Sequence, residues 1–306
     1  MLRRLAAALI TTGATVLAAL AVPGTAAAAT TPTTVWQWNI AGNTMHHGST
    51  TDGLIPAATS SIVHRNAQFV GINELCHQQY TALVTSLRAA GFPQDPGNFA
   101  RFEPSTPGGQ SSICAGQQYG IGLFSAAPLG TARRYALPDA RHPNETRKLL
   151  CAPLAARPHL VYCTTHLVPD DAYLQPQLDA VRSRIDGFRA AGDTVLISGD
   201  FNAQPNSARL NGWYSSSLDT PANRDNTGRY RELDDTDGGC PGYGEWTFGS
   251  TGGPCGLGTK LDLLFVREDT VAGVYQEDSL AVPTTCGGPC SDHRAIVGTV
   301  PVTVAG

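Results

Sequence analysis

The chain has 306 residues, with 21 Lys and Arg set against 25 Asp and Glu. A formal net charge of −4 excludes a strongly basic, non-specific nucleic-acid binder. It leaves room for an enzyme that meets a phosphate through a bound cation, because the ion then supplies the positive charge.

The N-terminus reads as a secretory leader. Arg3 and Arg4 precede a largely apolar stretch from Leu5 to about Val22, Pro23-Gly24 breaks it, and Ala26 to Ala29 offer small residues for cleavage. The competing reading is a single membrane anchor, but Thr11-Thr12-Gly13 interrupts the run. We expect cleavage within residues 27–30, a leader of residues 1–29 and a secreted remainder, 30–306. Without Arg3 and Arg4 the net charge is about −6. No later segment approaches the ~18 apolar residues that span a bilayer, so no stable membrane insertion is expected.

Alternating strands and helices follow. Thr34–Ile40 reads as a strand with Val35, Gln37 and Asn39 on one face and Trp36, Trp38 and Ile40 on the other. A helix around Leu54–Gln68 leads to a short buried strand, Phe69–Asn73. A second helix over Gln78–Ala90 stops at Gly91, and the Pro-, Gly- and Ser-rich residues 93–116 read as a long surface loop. A strand at Tyr119–Ser125 precedes a hairpin over Lys148–Leu167 that turns at residues 155–158. The clearest helix is Leu174–Ala191, whose apolar positions Leu174, Leu178, Val181, Ile185 and Phe188 recur at helical spacing. Thr194–Ser198 is a central strand, residues 203–259 are mostly loop, and strands return at Leu261–Val266 and His293–Val304. Hairpins mixed with helical crossovers indicate an α/β protein with sheets packed inside helical layers.

Eight cysteines are present, at 76, 114, 151, 163, 240, 255, 286 and 290. An even count in an exported chain reads as disulfides, and the absence of any C-x-x-C speaks against zinc. Folding the Lys148–Leu167 hairpin sets Cys151 nearly opposite Cys163, within bridging reach. Nearest-neighbour pairing adds Cys76–Cys114, Cys240–Cys255 and Cys286–Cys290.

Acids, amides and histidines stand at the ends of apolar strands: Asn39, Glu74, His166, Asp200 with Asn202, Asp262, and Asp292 with His293. Each alone is a common turn former. Their recurrence across six strands is harder to assign to turns. In an extended chain Asp200 and Asn202 project to one side and Phe201 to the other.

These residues resemble the endonuclease/exonuclease/phosphatase superfamily, with its deoxyribonuclease I-like members. The motifs are WNI with Asn39, GINELC with Glu74, THL with His166, GDFNAQP with Asp200 and Asn202, EWTF with Trp246, LDLLFV with Asp262 and SDHRAIV with Asp292 and His293. They run in order over residues 35–300. The resemblance implies a four-layer α/β sandwich, with two mixed β-sheets packed face to face and flanked by helices, in one catalytic domain. It also implies a phosphoester hydrolase using Mg²⁺, with Mn²⁺ or Ca²⁺ as alternatives. By resemblance Glu74 is the main metal-binding carboxylate, with Asn39 beside it and Asp292 supporting the metal shell; oxygen donors of this kind suit Mg²⁺. His293 matches the histidine that activates water or contacts the phosphate, and Asp262 the acid that orients it. Asp200 and Asn202 match residues beside the attacking water and the phosphate, His166 the second histidine, and Arg147 a phosphate-binding arginine.

Two departures stand out. Deoxyribonuclease I pairs its first histidine with a glutamate, whereas Gln117 or Gln118 stands at the corresponding segment here, and Ser125-Ala126 replaces a familiar basic contact. The expected function is a secreted, metal-dependent phosphodiesterase, first of all a monomeric nuclease acting on DNA or RNA. The alternatives are a sphingomyelinase- or phospholipase C-like enzyme or small-molecule phosphoesterase with the same site, and a non-catalytic binding module. That last reading predicts losses among the catalytic positions, and none is evident.

Overall fold

A computed structural model describes residues 29–139, 141, 144–169 and 171–305. Residues 1–28, which make up nearly all of the expected leader, lie outside the described residues. In chain order the elements are β1 (Ala29–Asn39), α1 (Leu54–His64), β2 (Phe69–Cys76), α2 (His77–Ala89), β3 (Ala100–Thr106), β4 (Tyr119–Ser125) and β5 (Arg133–Ala136). They continue with β6 (Lys148–Leu154), β7 (Arg157–His166), α3 (Asp171–Ala190), β8 (Thr194–Asp200) and β9 (Tyr230–Glu232). The last are β10 (Phe248–Gly252), β11 (Gly258–Thr259), β12 (Asp262–Arg267), β13 (Gln276–Ser279) and β14 (Ile296–Val304).

Two six-stranded sheets carry the fold, ordered β13-β14-β1-β2-β4-β3 and β5-β6-β7-β8-β12-β9, with β10 and β11 as a separate pair. Both are mixed, because β1–β2 and β7–β8 pair in parallel and their other neighbours are antiparallel. The alternation of strand residues builds three apolar layers. Val35, Phe69, Leu150, Tyr162, Leu196 and Leu264 fill the space between the sheets. Trp36, Trp38, Val70 and Ile72 turn outward beneath α1 and α2, against Leu54, Ile62, Leu83 and Leu87. On the other flank Leu178, Val181 and Ile185 of α3 cover Cys163, Ile197 and Phe265. The split of Val35 from Trp36 and Trp38 is the one that their alternation dictates. The result is the expected four-layer sandwich.

A polar thread crosses the apolar centre. Gln37 donates to Asn73 Oδ1 (2.7 Å) and accepts from Ser198 Oγ (3.1 Å), and Asn73 Oδ1 also accepts the Asp200 backbone N–H (2.7 Å). Through the amide oxygens these bonds fix the first sheet against the end of β8, while Asn73 Nδ2 is buried without a hydrogen-bond partner. Gly71 makes room for the thread: a Cβ there would come within 2.2 Å of Gln37 Oε1 and 2.4 Å of Tyr162 Oη.

Four disulfides are present, Cys76–Cys114, Cys151–Cys163, Cys240–Cys255 and Cys286–Cys290, as nearest-neighbour pairing proposes. Cys151 and Cys163 are direct partners in the β6–β7 register. Their loop of 12 residues should contribute about 3 kcal/mol by chain entropy. Replacing both with alanine should therefore lower the urea midpoint, while an unchanged midpoint would mean that the bridge is thermodynamically silent.

Some boundaries differ from the sequence reading. The expected loop over 93–116 contains edge strand β3, whose apolar signal is weakened by Arg101, Glu103 and Pro104. The first helix ends at His64 rather than near Gln68, and the last strand starts at Ile296 rather than His293. Residues 203–259 are mostly irregular but hold β9, β10 and β11.

Candidate active site

Strand ends from both sheets deliver the polar residues to one end of the sandwich. Asn39 closes β1, His166 closes β7, Asp200 closes β8 and Asp262 opens β12; the pairing sets Asp200 opposite both His166 and Asp262. Glu74 arrives differently. A bulge interrupts the β2–β4 register between Ile72 and Leu75, and Glu74 sits in it with φ 56°, a left-handed conformation unfavourable for a side chain. Strain of this kind persists where the surrounding structure imposes it, often at functional sites.

Asp200 is the hub. Its Oδ2 accepts from Asn39 Nδ2 (3.0 Å) and faces His166 Nε2 at 3.6 Å and His293 Nε2 at 3.7 Å. Asn39 Nδ2 also donates to Glu74 Oε1 (3.1 Å), so one amide ties the two carboxylates together. His293 Nδ1 lies 2.7 Å from Asp262 Oδ2. Ser291 holds the histidine's backbone, accepting the His293 N–H (3.0 Å) and donating to the Asn39 carbonyl (2.7 Å). The Phe248 ring packs on the imidazole, with centroids 4.7 Å apart. Asp262 is steadied by its own N–H, which bonds Thr247 Oγ1 (3.1 Å).

Asn202 does not follow simple alternation. The strand stops at Asp200, and Asn202 turns with φ 48°, donating its backbone N–H to Asp200 Oδ1 (2.9 Å) and its Nδ2 to the Leu167 carbonyl (2.8 Å). Phe201 is buried against Trp213 and Phe265, as alternation requires. Arg147 sits beside His166, its Nη1 2.8 Å from Nδ1, and its Nη2 pairs with Glu145 Oε1 (3.1 Å). Asp292 is exposed, and its charge bears on both Glu74 and His293. Gln118 spends its backbone carbonyl on the His77 N–H. Sequence reasoning missed Tyr119, whose hydroxyl pKa is raised by burial and by the nearby Glu74 charge, and Glu145, which pairs with Arg147.

The electrostatics call for a cation. Burial raises the Glu74 carboxyl pKa against the opposing Asn39 hydrogen bond, and Asp292 raises it further. Asp200 is pushed up to about 7, first by burial and then by Asp262, with His293 opposing. Burial works against the charged form of His293, but Asp262, Asp200 and Asp292 hold its pKa up to about 10. His166 is driven well below the ordinary imidazole value by burial, Arg147 and His293. Among the described residues no Lys, Arg or His lies within ion-pair distance of Glu74. Asp262 Oδ1 is buried without a hydrogen-bond partner. Asp200, Asp262 and His293 bring ligand-type atoms within 4.8 Å of one another. An excess of buried carboxylate with hard oxygen donors fits a divalent cation.

Beneath Asp262 lies a second buried charge cluster, which no motif announces. Lys260 Nζ meets Glu232 Oε2 (3.2 Å), Asp234 Oδ2 (2.8 Å) and Glu277 Oε1 (3.1 Å). Burial, with Asp234 and Asp235, pushes Glu232 up to about 7 against Lys260. The folded chain then binds this proton more tightly than the unfolded chain. The stabilisation is complete below the ordinary value of 4.5 and is lost as pH rises to about 7. The melting temperature of the metal-free protein should therefore fall by several degrees between pH 5 and pH 8, and less so in Glu232→Gln. A slope that is identical in the variant would remove Glu232 as its cause.

The sequence profile of the endonuclease/exonuclease/phosphatase family matches residues 36–293, nearly the whole described chain. The chain belongs to this family. Its members are phosphoester hydrolases, and this protein is an enzyme of that class. No curated protein matches it by sequence. Among solved structures, the human Nocturnin catalytic domain with bound sulfate anion aligns with a TM-score of 0.64 at 16% identity, covering 89% of this chain and 94% of that one. A family protein from Bacteroides thetaiotaomicron gives 0.61 at 10% identity, covering 89% and 98%. D. rerio TDP2 complexed with single strand DNA product gives 0.58 at 16%, covering 88% and 98%. At such identities these likenesses speak for the fold.

Proposed function

We propose that residues 30–306 form one secreted catalytic domain that hydrolyses phosphodiester bonds in DNA or RNA with a divalent cation, Mg²⁺ by preference. The observation that carries this reading is the convergence of Glu74, Asp200 and the Asp262–His293 pair around one oxygen-rich, buried carboxylate site. Glu74 and Asp292 would hold the cation, with Asn39, which is hydrogen-bonded to Glu74, beside them. When bound, the ion supplies Lewis-acid stabilisation of phosphate charge.

The chain's own residues supply the rest. Asp262 keeps the proton of His293 on Nδ1 and supports the charged ring, so Nε2–H donates to a phosphate oxygen. Asp200, with its raised pKa, takes the proton of the attacking water. Asn202 holds the turn that aims Asp200. His166 contacts the phosphate on the side of the leaving oxygen.

A nucleic-acid substrate is supported by TDP2, a structural neighbour seen with a single strand DNA product. Export is supported by the four disulfides, which persist in oxidising compartments. Among the described residues no helix is long and apolar enough to cross a membrane. Among the described residues the large exposed hydrophobics, Met45, Val63 and Val274, include no aromatic of the kind that docks on lipid. The test is a substrate panel of plasmid DNA, RNA, sphingomyelin and a chromogenic phosphodiester, each with Mg²⁺. Faster turnover of either nucleic acid supports the proposal; turnover of sphingomyelin alone overturns it in favour of the lipid enzyme.

A further inference from the structure

The two histidines of the site have opposite partners. His293 Nδ1 faces a carboxylate, Asp262, at 2.7 Å, and His166 Nδ1 faces a guanidinium, Arg147, at 2.8 Å. An arginine side chain has five N–H donors and no lone pair, and it keeps its proton throughout the pH range of proteins. The Nδ1 atom of His166 must therefore be the acceptor. A ring with an unprotonated Nδ1 is neutral and carries its hydrogen on Nε2.

We propose that Arg147 is a positioning residue that locks His166 as the neutral, Nε2-protonated tautomer, making it a fixed hydrogen-bond donor to the phosphate rather than an acid or a base. This rests on the phosphodiesterase reading above and goes beyond it, since that reading gives Arg147 no part and the family resemblance implies only a phosphate-binding arginine. The guanidinium is held at both ends, by His166 through Nη1 and by Glu145 through Nη2 (3.1 Å), and its side chain is 12% exposed. Its backbone is anchored too: the Arg147 carbonyl accepts the Leu137 N–H (2.9 Å), and the preceding Thr146 N–H bonds the Ser105 carbonyl (2.9 Å).

The charged groups that bear on the His166 ring are Arg147, Asp200 and His293. Arg147 and His293 oppose a second proton. Asp200 Oδ2, 3.6 Å from Nε2, favours a hydrogen on that nitrogen but lies too far to consume it as a hydrogen bond. The site thus divides its work. The carboxylate-backed His293 brings positive charge, while the arginine-backed His166 brings a directed N–H without charge. Protonation of the leaving oxygen then falls to water or to a group other than His166.

The experiment is ¹⁵N NMR of the imidazole nitrogens at pH 7 in the whole secreted chain, with the His166 signals assigned by their loss in His166→Gln. The wild type should show Nε2–H in excess over Nδ1–H by at least about tenfold, a ratio that one charge-assisted hydrogen bond sustains. Arg147→Lys, which still donates, should keep that excess, and Arg147→Met should reduce it. Arg147→Met should also lower kcat by about 10²-fold, the usual scale for one oriented donor, with KM little changed. A wild-type ring protonated at Nδ1 would overturn the proposal. So would an Arg147→Met protein with the same tautomer ratio and a raised KM, which is the signature of a direct phosphate clamp. The tautomer is read without substrate, so this result stands apart from whether nucleic acid is cleaved.

Discussion

Replacing His293 with alanine should lower kcat for phosphodiester hydrolysis by about 10³-fold while leaving the fold intact. The magnitude follows from what the imidazole does. It is the group in the site whose charge is supported from behind, by Asp262 at 2.7 Å and by the charges of Asp200 and Asp292. Removing one oriented donor to a developing phosphate charge typically costs about 10²–10³-fold, and losing the attached positive charge adds to that. The structural cost is smaller. The bonds that hold His293 in place, from its N–H to Ser291 and from Trp38 to its carbonyl (2.9 Å), are made by the backbone and survive the substitution. Asp262→Asn should give a similar loss, because the amide no longer supports the imidazolium. Single-turnover rates, with melting curves as a control for folding, check both. A variant with intact melting and near-wild-type kcat would take His293 out of the chemistry.

Glu74→Gln should remove most metal-stimulated activity without destabilising the metal-free protein. Glu74 is half-buried, lacks a cationic partner among the described residues and has a carboxyl pKa raised by desolvation, so its ionised form is a burden to the metal-free fold. Glutamine preserves the shape and can still accept from Asn39 Nδ2. The metal-free variant should therefore melt at or above the wild-type temperature. Ligand binding to the native state raises stability by mass action, so Mg²⁺ should raise the wild-type melting temperature and have little effect on the variant's. Equal Mg²⁺ stabilisation of the two proteins would place the cation elsewhere.

Much of this site was legible in the sequence because strand alternation is a local property. The separation of Val35 from Trp36 and Trp38, the burial of Phe201 and the opposition of Cys151 and Cys163 all follow from a period of two. The ordered motifs brought Asn39, Glu74, His166, Asp200, Asp262 and His293 to one end. What was hidden depends on departures from regularity or on distant partners. The bulge that swings Glu74 inward has no sequence signal beyond a charge after an apolar run. Asn202 leaves the extended conformation, so its pairing with Asp200 is a turn rather than two side chains on one face. The edge strand β3 is disguised by its proline and charges. No motif marks Lys260, which is fully buried among three carboxylates from two other segments. Arg147 was found by position alone; its bond to His166, 19 residues away, is a product of the fold.

In the function proposed here, a divalent cation and these side chains together cleave nucleic acid. The deciding measurement is the initial rate of hydrolysis of plasmid DNA and of RNA by the purified protein, first with Mg²⁺, then after chelation, then after Mg²⁺ is restored. Cleavage of at least one nucleic acid that stops on chelation and returns with the metal is the predicted result. Cleavage of neither with Mg²⁺, Mn²⁺ or Ca²⁺, or cleavage untouched by chelation, would rule out a metal-dependent nuclease.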